Sequence, residues 1–342
     1  MKLGLLAYST KTGLGVQTFN LYKYLNPYKI MVVDLSDLNG METNHGIYKN
    51  PMIVRGIPKK IDIDLLLNGL DVIFVCETPL NYYLFDRAKE LGIKIVLQPN
   101  WEFYDYNQSK DLTKPDLIAA PSLWHFDEYE GNKVYLPVPY DDLEFQEITK
   151  IKRFLHIAGR PAVHDRNGTI DTINSFHNFK GDATLTIRCQ NKDKLAEYSK
   201  IIEELEDDRI KLESEVSDYK DMYKGFDAMI LPRRYGGLCL PMNEAIASGL
   251  PVIMTDIEPN NLILPQEWLV TAHKTDEFMT RSMIDIYTVN TSLLTLKIYE
   301  FVNADEEKVK GWNNICKDMR DVNLWKNIKD RYLNILEDLC QK

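Results

Sequence analysis

The sequence predicts an α/β protein of two domains, each a mostly parallel sheet covered by helices. Three observations carry this. Segments apolar along their whole length, such as 71–77 (DVIFVCE) and 93–98 (IKIVLQ), alternate with segments apolar only at helical spacing. That is the pattern of strands buried on both faces. The chain has 342 residues, too long for one ordinary core and suited to two of about 150 residues each. The alternation breaks once, at the polar run YDDLEFQEITKIK from Tyr140 to Lys152, and then resumes.

The elements follow in order. MKLGLLAY is a first strand: its short apolar run passes straight into a turn, which is not the pattern of a signal peptide. STKTGLG is a loop, and VQTFNLYKYL a helix with Phe19, Leu21, Tyr22 and Leu25 on its apolar side. KIMVVDL, 71–77 and 93–98 are further strands, the last two separated by a helix containing YYLFDRAKE that Gly92 terminates. DLIAAPS and KVYLPVP complete a first domain, 1–148. A second, 149–317, runs through RFLHIAG, a helix TIDTINSFHNF, ATLTIRC and a charged helix KDKLAEYSKIIEEL. It ends on a strand (Ala228–Leu231), a glycine turn, a helix from about Pro241 stopped by Gly249, and a buried strand Pro251–Met254. The remainder, 318–342, is an amphipathic helix with Trp325, Ile328, Tyr332, Ile335 and Leu336 at helical spacing.

Composition narrows the function. At 44% hydrophobic and 27% charged, the chain reads as soluble and globular. No apolar run reaches the roughly 18 residues of a membrane span. The scattered cysteines Cys76, Cys189, Cys239, Cys316 and Cys340 form no C-x-x-C pair, so neither zinc nor disulfides are expected and a reducing cytoplasm fits. The net charge of −10 is spread evenly, with 15 basic against 20 acidic residues up to position 150 and 26 against 31 beyond. That balance weighs against a long nucleic acid held by bulk positive charge.

The chemistry concentrates in 223–256, YKGFDAMILPRRYGGLCLPMNEAIASGLPVIMTD. A strand–turn–helix–strand unit places the turn and the helix N-terminus at the carboxyl edge of a parallel sheet, where free N–H groups and the helix dipole suit phosphate. Asp227, Pro232, Gly237, Leu240, Pro241, Glu244, Ala245, Ala247, Gly249, Pro251 and Val252 fall in register with D-x4-P-S-x-x-E-G-F-G-L-P-x-x-E-A-x-A-x-G-x-P-V. That pattern is the nucleotide-sugar signature of the GT-B glycosyltransferases, and the chain resembles their retaining family 4. The closing W-x-x-I-x-x-x-Y helix of those enzymes, which packs back on the first domain, is similar to the segment from Trp325 to Tyr332.

The resemblance implies two Rossmann-like domains facing across a cleft, and transfer of a sugar, hexose or pentose, from a nucleotide-diphosphate donor to a hydroxyl with retention. Glu244 matches the glutamate that holds the ribose hydroxyls. The glutamate that contacts the donor sugar is replaced here by Gly236, so Gly236, Gly237, Leu238, Cys239 and Leu240 become the donor turn. Arg160 matches the arginine on the diphosphate. The lysine that accompanies it is Asn167 here, and Arg166 beside it supplies the cation. Gly13 and Gly15, after the first strand, match a glycine-rich loop against the donor. Arg233 and Arg234 are candidate additional phosphate clamps.

Acid–base groups belong at the carboxyl ends of first-domain strands. The histidine that the family has near Asn100–Glu102 is absent, which leaves Glu102 first and Glu77 second. His125, between Trp124 and Phe126, reads as packed or acceptor-lining, and His164 as a loop residue near the phosphates. No D-x-D pair follows a strand, so no obligatory metal or cofactor is expected. The segments LAYSTKTGLGVQT and IMTDIEPNN are also similar to bacteriophage-encoded glycosyltransferases, some of which act on hydroxymethylated DNA bases in the host cytoplasm. The acceptor is thus a DNA base or a glycan. Two alternatives stand: a nucleotide-sugar-binding protein with weak or no turnover, and a nucleotide-dependent oxidoreductase or epimerase with Asp34 as its ribose acid.

Overall fold

In the computed structural model of the chain, the described residues are 1–10, 12–39, 43–159, 164–214 and 221–341. They form two compact units. Unit 1 comprises Met1–Pro139, Met279–Met283 and Trp325–Lys342, and unit 2 comprises Tyr140–Phe278 and Ile284–Leu324.

Unit 1 is built from β1 (Leu3–Tyr8), α1 (Gly13–Leu25), β2 (Lys29–Asp34), α2 (Ser36–Asn39), β3 (Met52–Arg55), α3 (Lys60–Leu67), β4 (Val72–Cys76), α4 (Tyr83–Glu90), β5 (Lys94–Gln98), β6 (Leu117–Ala120) and β7 (Lys133–Tyr135). The strands pair in parallel in the order β3-β2-β1-β4-β5-β6-β7, with Leu5 opposite both Ile30 and Phe74. Strand order reverses beside β1, which makes the carboxyl ends of β1 and β4 a topological switch point. α1 begins at Gly13, three residues before the expected Val16, because Thr12 O already accepts Val16 N–H at 2.9 Å. Gly15 permits this. A Cβ there would lie 2.8 Å from the Thr10 carbonyl carbon, so a larger residue would push the helix off the loop.

The last helix, Trp325–Gln341, belongs to unit 1. Trp325, Ile328, Tyr332, Leu336 and Leu339 join the cluster of Leu5, Val32 and Phe74. Trp325 stacks on Tyr24 at 4.8 Å, and Tyr332 OH donates to Pro137 O at 2.8 Å. Each such buried aromatic or aliphatic side chain contributes roughly 1.5–3 kcal/mol.

Unit 2 continues with β8 (Arg153–Gly159), α5 (Thr169–Asn178), β9 (Thr184–Cys189), α6 (Lys192–Leu205), β10 (Ile210–Glu213), β11 (Ala228–Leu231), α7 (Leu240–Ala247), β12 (Val252–Thr255), α8 (Asn260–Ile263) and β13 (Leu269–Val270). The parallel order is β10-β9-β8-β11-β12-β13, so β8 and β11 flank a second switch point. A two-stranded hairpin follows, β14 (Ala272–Met279) with β15 (Met283–Val289), then α9 (Thr291–Val302) and α10 (Glu306–Asn323), ahead of α11 (Trp325–Gln341). The polar run after Pro139 has no regular element but is fastened down. Leu143, Ile148 and Ile151 are buried, and Arg320 pairs with Asp142 at 2.5 Å.

Both sheets are parallel and helix-covered, the α/β class that the pattern predicts. β3 and β14 were not legible in that pattern. β3 is an edge strand with alternating exposure, and β14 is exposed along most of its length, so neither needs an apolar run.

Two residues of the signature act in this framework. Asp227 accepts from the backbone N–H of Lys152 and Arg153 at 2.9 and 2.8 Å and pairs with the Arg153 guanidinium at 2.6 Å, joining the starts of β8 and β11. Gly249 has φ +89°, and a Cβ there would lie 2.5 Å from Gln146 O and 2.9 Å from Asn313 Nδ2. Gly249→Ala is therefore expected to destabilise unit 2 by about 1–2 kcal/mol through left-handed strain and overpacking. An unchanged urea midpoint would contradict it.

Candidate functional site

In unit 2 the predicted donor residues gather at the carboxyl edge of β8 and β11. The turn after β11 holds Gly236 and Gly237, both buried, then partly buried Leu238, buried Cys239 and partly buried Leu240, where α7 starts. No side chain caps the N-terminus of α7, and a proline occupies its first turn. Its leading N–H groups therefore have no side-chain acceptor. The N-terminus of α5 is different: Asp165 accepts from Thr169 N–H at 3.1 Å and Ile170 N–H at 3.0 Å. Of these two helix ends, that of α5 has a side-chain acceptor and, among the described residues, that of α7 has none.

Glu244 lies on α7, 9% exposed. Its Oε2 accepts from the OH of buried Tyr223 at 2.5 Å, which orients the carboxylate. Arg166 lies in the loop between β8 and α5, with its guanidinium 5.0 Å above the Tyr235 ring. Asn167, where the resembling family has lysine, donates to Ile157 O at 2.9 Å and Ala158 O at 3.3 Å. It closes the end of β8 rather than facing a ligand. Arg160 lies outside the described residues.

Gly236 has φ +108°, and a Cβ there would run into the Arg166 guanidinium and lie 2.7 Å from Arg233 Nη2. The space a side chain would take is held by two arginines. Arg233 is 5% exposed, and its Nη1 donates to Leu238 O at 3.0 Å. Arg234 instead pairs with Asp171 at 2.8 Å, and burial raises the Asp171 carboxyl above its ordinary range even so. The double arginine at the strand end thus divides: Arg234 is neutralised by the protein, while Arg233 supports the glycine turn. Motif reading named both but could not separate them. His164 packs beside Phe278, ring centroids 5.2 Å apart.

In unit 1, Gly13 is exposed and Gly15 buried in the first turn of α1, beside the end of β1. Glu77 follows β4 with φ +63°. Its N–H donates to Gln98 O at 2.8 Å, and its Oε1 accepts from Asn100 Nδ2 at 3.0 Å. Glu102 follows β5, 8% exposed. Its carbonyl accepts from Thr280 Oγ1 at 2.7 Å and Arg281 N–H at 3.0 Å. Both carboxylates thus stand at carboxyl ends of neighbouring strands. Asp34, the dehydrogenase-like acid, pairs with His45 at 2.9 Å. The Ser36 hydrogen bonds, with His45 beside them, hold its carboxyl below the usual range.

A cavity of about 320 Å³ in unit 1 is lined by Trp101, His125, Glu128, Met279, Arg281 and Met283 among others. His125 stacks on Trp101 at 4.8 Å and its Nδ1 lies 2.5 Å from Glu128 Oε1. The hairpin tip that supplies Met279–Met283 was missed in the sequence because HKTDE and TRS carry neither an apolar run nor a recognised motif. Among the described residues there is no cluster of metal-ligating side chains and no helix long and apolar enough to cross a membrane.

Residues 153–287 match the model of the family Glycosyl transferases group 1. No curated protein matches the chain by sequence. Among solved structures, Anabaena Alr3699/HepE in complex with UDP superposes with TM-score 0.72 at 12% identity, covering 99% of this chain and 100% of that one. A glycosyltransferase from Rickettsia africae gives TM-score 0.70 at 13% identity over 99% and 98%. The pneumococcal O-GlcNAc transferase GtfA, in complex with UDP and GlcNAc, gives TM-score 0.60 at 15% identity over 79% of this chain, which spans only 57% of that longer protein. In the GtfA/B complex the chain likewise spans 59% of the matched protein. The chain has the GT-B fold, and its residues 153–287 match the glycosyl transferases group 1 family model.

Proposed function

We propose that the chain is a retaining glycosyltransferase that moves a sugar from a nucleotide-diphosphate donor to a hydroxyl acceptor. The observation that carries the donor site is the glycine turn at Gly236–Leu240, which leads into the uncapped N-terminus of α7. Backbone N–H groups there suit the diphosphate, Glu244 takes the ribose hydroxyls, and Arg160 and Arg166 neutralise charge growing on the leaving diphosphate. UDP in the complexes of HepE and GtfA supports this class of donor.

Gly13 and Gly15 let the loop after β1 approach the donor. Glu102 and Glu77 are the acid–base candidates, and the cavity beside His125 accommodates the acceptor. The even acidic balance of the chain favours a glycan over DNA. The donor is a substrate, and no cofactor enters the scheme.

Incubating the protein with UDP-, GDP- and ADP-sugars tests the reading. Slow release of a nucleoside diphosphate is expected. A raised melting temperature without release marks a binding protein, and a response to NAD alone marks an oxidoreductase. Arg160→Ala and Arg166→Ala should each lower kcat/KM by about tenfold or more, because the leaving charge is largest in the transition state. Lysine should rescue Arg166 better than Arg160. Wild-type kinetics in Arg160→Ala would place the diphosphate elsewhere.

A further inference from the structure

Among the described residues, Arg233 has no ion-pair partner. It is 5% exposed, and among the described residues no carboxylate lies within ion-pair distance of it. One nitrogen reaches the Leu238 carbonyl, while its Nε has no hydrogen-bond partner. A buried guanidinium without a counterion is costly, and the cost falls when an anion arrives. Its neighbour Arg234 shows the alternative, paired with Asp171.

Position 236 explains how the anion can be a ligand's. Gly236 leaves Arg233 Nη2 2.7 Å from where a Cβ would stand, with the Arg166 guanidinium on the same spot. No side chain at 236 could put a carboxylate there without displacing both cations.

We propose that the donor sugar bears an anionic substituent, a carboxylate of the uronic-acid class, received by Arg233 in front of Gly236. This rests on the donor site proposed above. A guanidinium fork matches a carboxylate bidentately.

Calorimetry on the full chain with UDP, GDP and two matched pairs tests the inference: UDP-glucose with UDP-glucuronate, and GDP-mannose with GDP-mannuronate. For the base that binds, the uronate should bind at least about tenfold tighter than the neutral sugar. Arg233→Gln should erase that preference, lowering the affinity for the uronate by at least about tenfold more than the affinity for the nucleoside diphosphate alone. Arg233→Lys should keep part of it. Equal affinity for the two members of the pair in the wild type, which needs no variant to fold, would overturn the inference. So would an Arg233→Gln protein that loses nucleoside diphosphate and uronate by the same factor, because the diphosphate would then be the anion. Failure of every nucleotide to bind would overturn the donor site itself, an outcome distinct from nucleotide binding without sugar preference.

Discussion

Glu244→Gln is expected to weaken binding of the nucleotide-sugar donor by about 1.5–3 kcal/mol, the range for hydrogen bonds to a charged group. The melting temperature without ligand should hardly move. The reason lies in what surrounds the side chain. Glu244 is nearly buried on α7, and the OH of Tyr223 donates to one of its oxygens. A glutamine keeps an oxygen for Tyr223, so the folded protein loses little. In the proposed donor site the ribose hydroxyls need a charged acceptor, and the amide nitrogen of glutamine is a donor where an acceptor is required. Titration of the preferred nucleoside diphosphate into both proteins checks this. Unchanged affinity would mean that Glu244 does not hold the ribose.

Acid should destabilise unit 2 through His156. Its side chain is fully buried, its Nδ1–H donates to Ile230 O at 2.8 Å, and its Nε2 accepts from Thr169 Oγ1 at 3.0 Å. The neutral ring is fully satisfied, and burial lowers its pKa from 6.5 to about 4. Between those values the unfolded chain binds a proton that the folded chain refuses. Stability is therefore complete above about pH 6.5 and is lost as pH falls toward 4, by about 1.4 kcal/mol per pH unit and roughly 3 kcal/mol in all. Urea unfolding of the wild type and His156→Asn at pH 7 and 5 isolates this contribution from that of the carboxylates. The variant should start less stable and lose less on acidification. Parallel losses in the two proteins would exclude His156 as the source.

Much of the fold was legible because buried parallel strands are written as apolar runs. β1, β2, β4, β5, β8, β9, β11 and β12 all declare themselves this way, and so does α11 through its helical spacing of Trp325, Ile328 and Tyr332. β3 and the β14–β15 hairpin do not, because strands at an edge or in a solvated hairpin are held by backbone hydrogen bonds and need no apolar sequence. The start of α1 was misread for a related reason. Glycines read as a loop, yet Gly15 is used for closeness to Thr10 and not for freedom of the backbone.

The sequence by itself determined the class of the fold, the glycine turn before α7 and the carboxylate of Glu244 behind it, since these rest on local periodicity and spacing. Only the tertiary structure decided what the arginines do. Arg166 and Arg233 are far apart in the chain and converge on Gly236 because the β8–α5 loop and the β11–α7 turn share one sheet edge. Arg234, adjacent to Arg233, goes instead to Asp171 on α5. Pairing of charges depends on which side chains the sheet order brings within a few ångströms of each other, and that distance is set by packing, not by sequence separation.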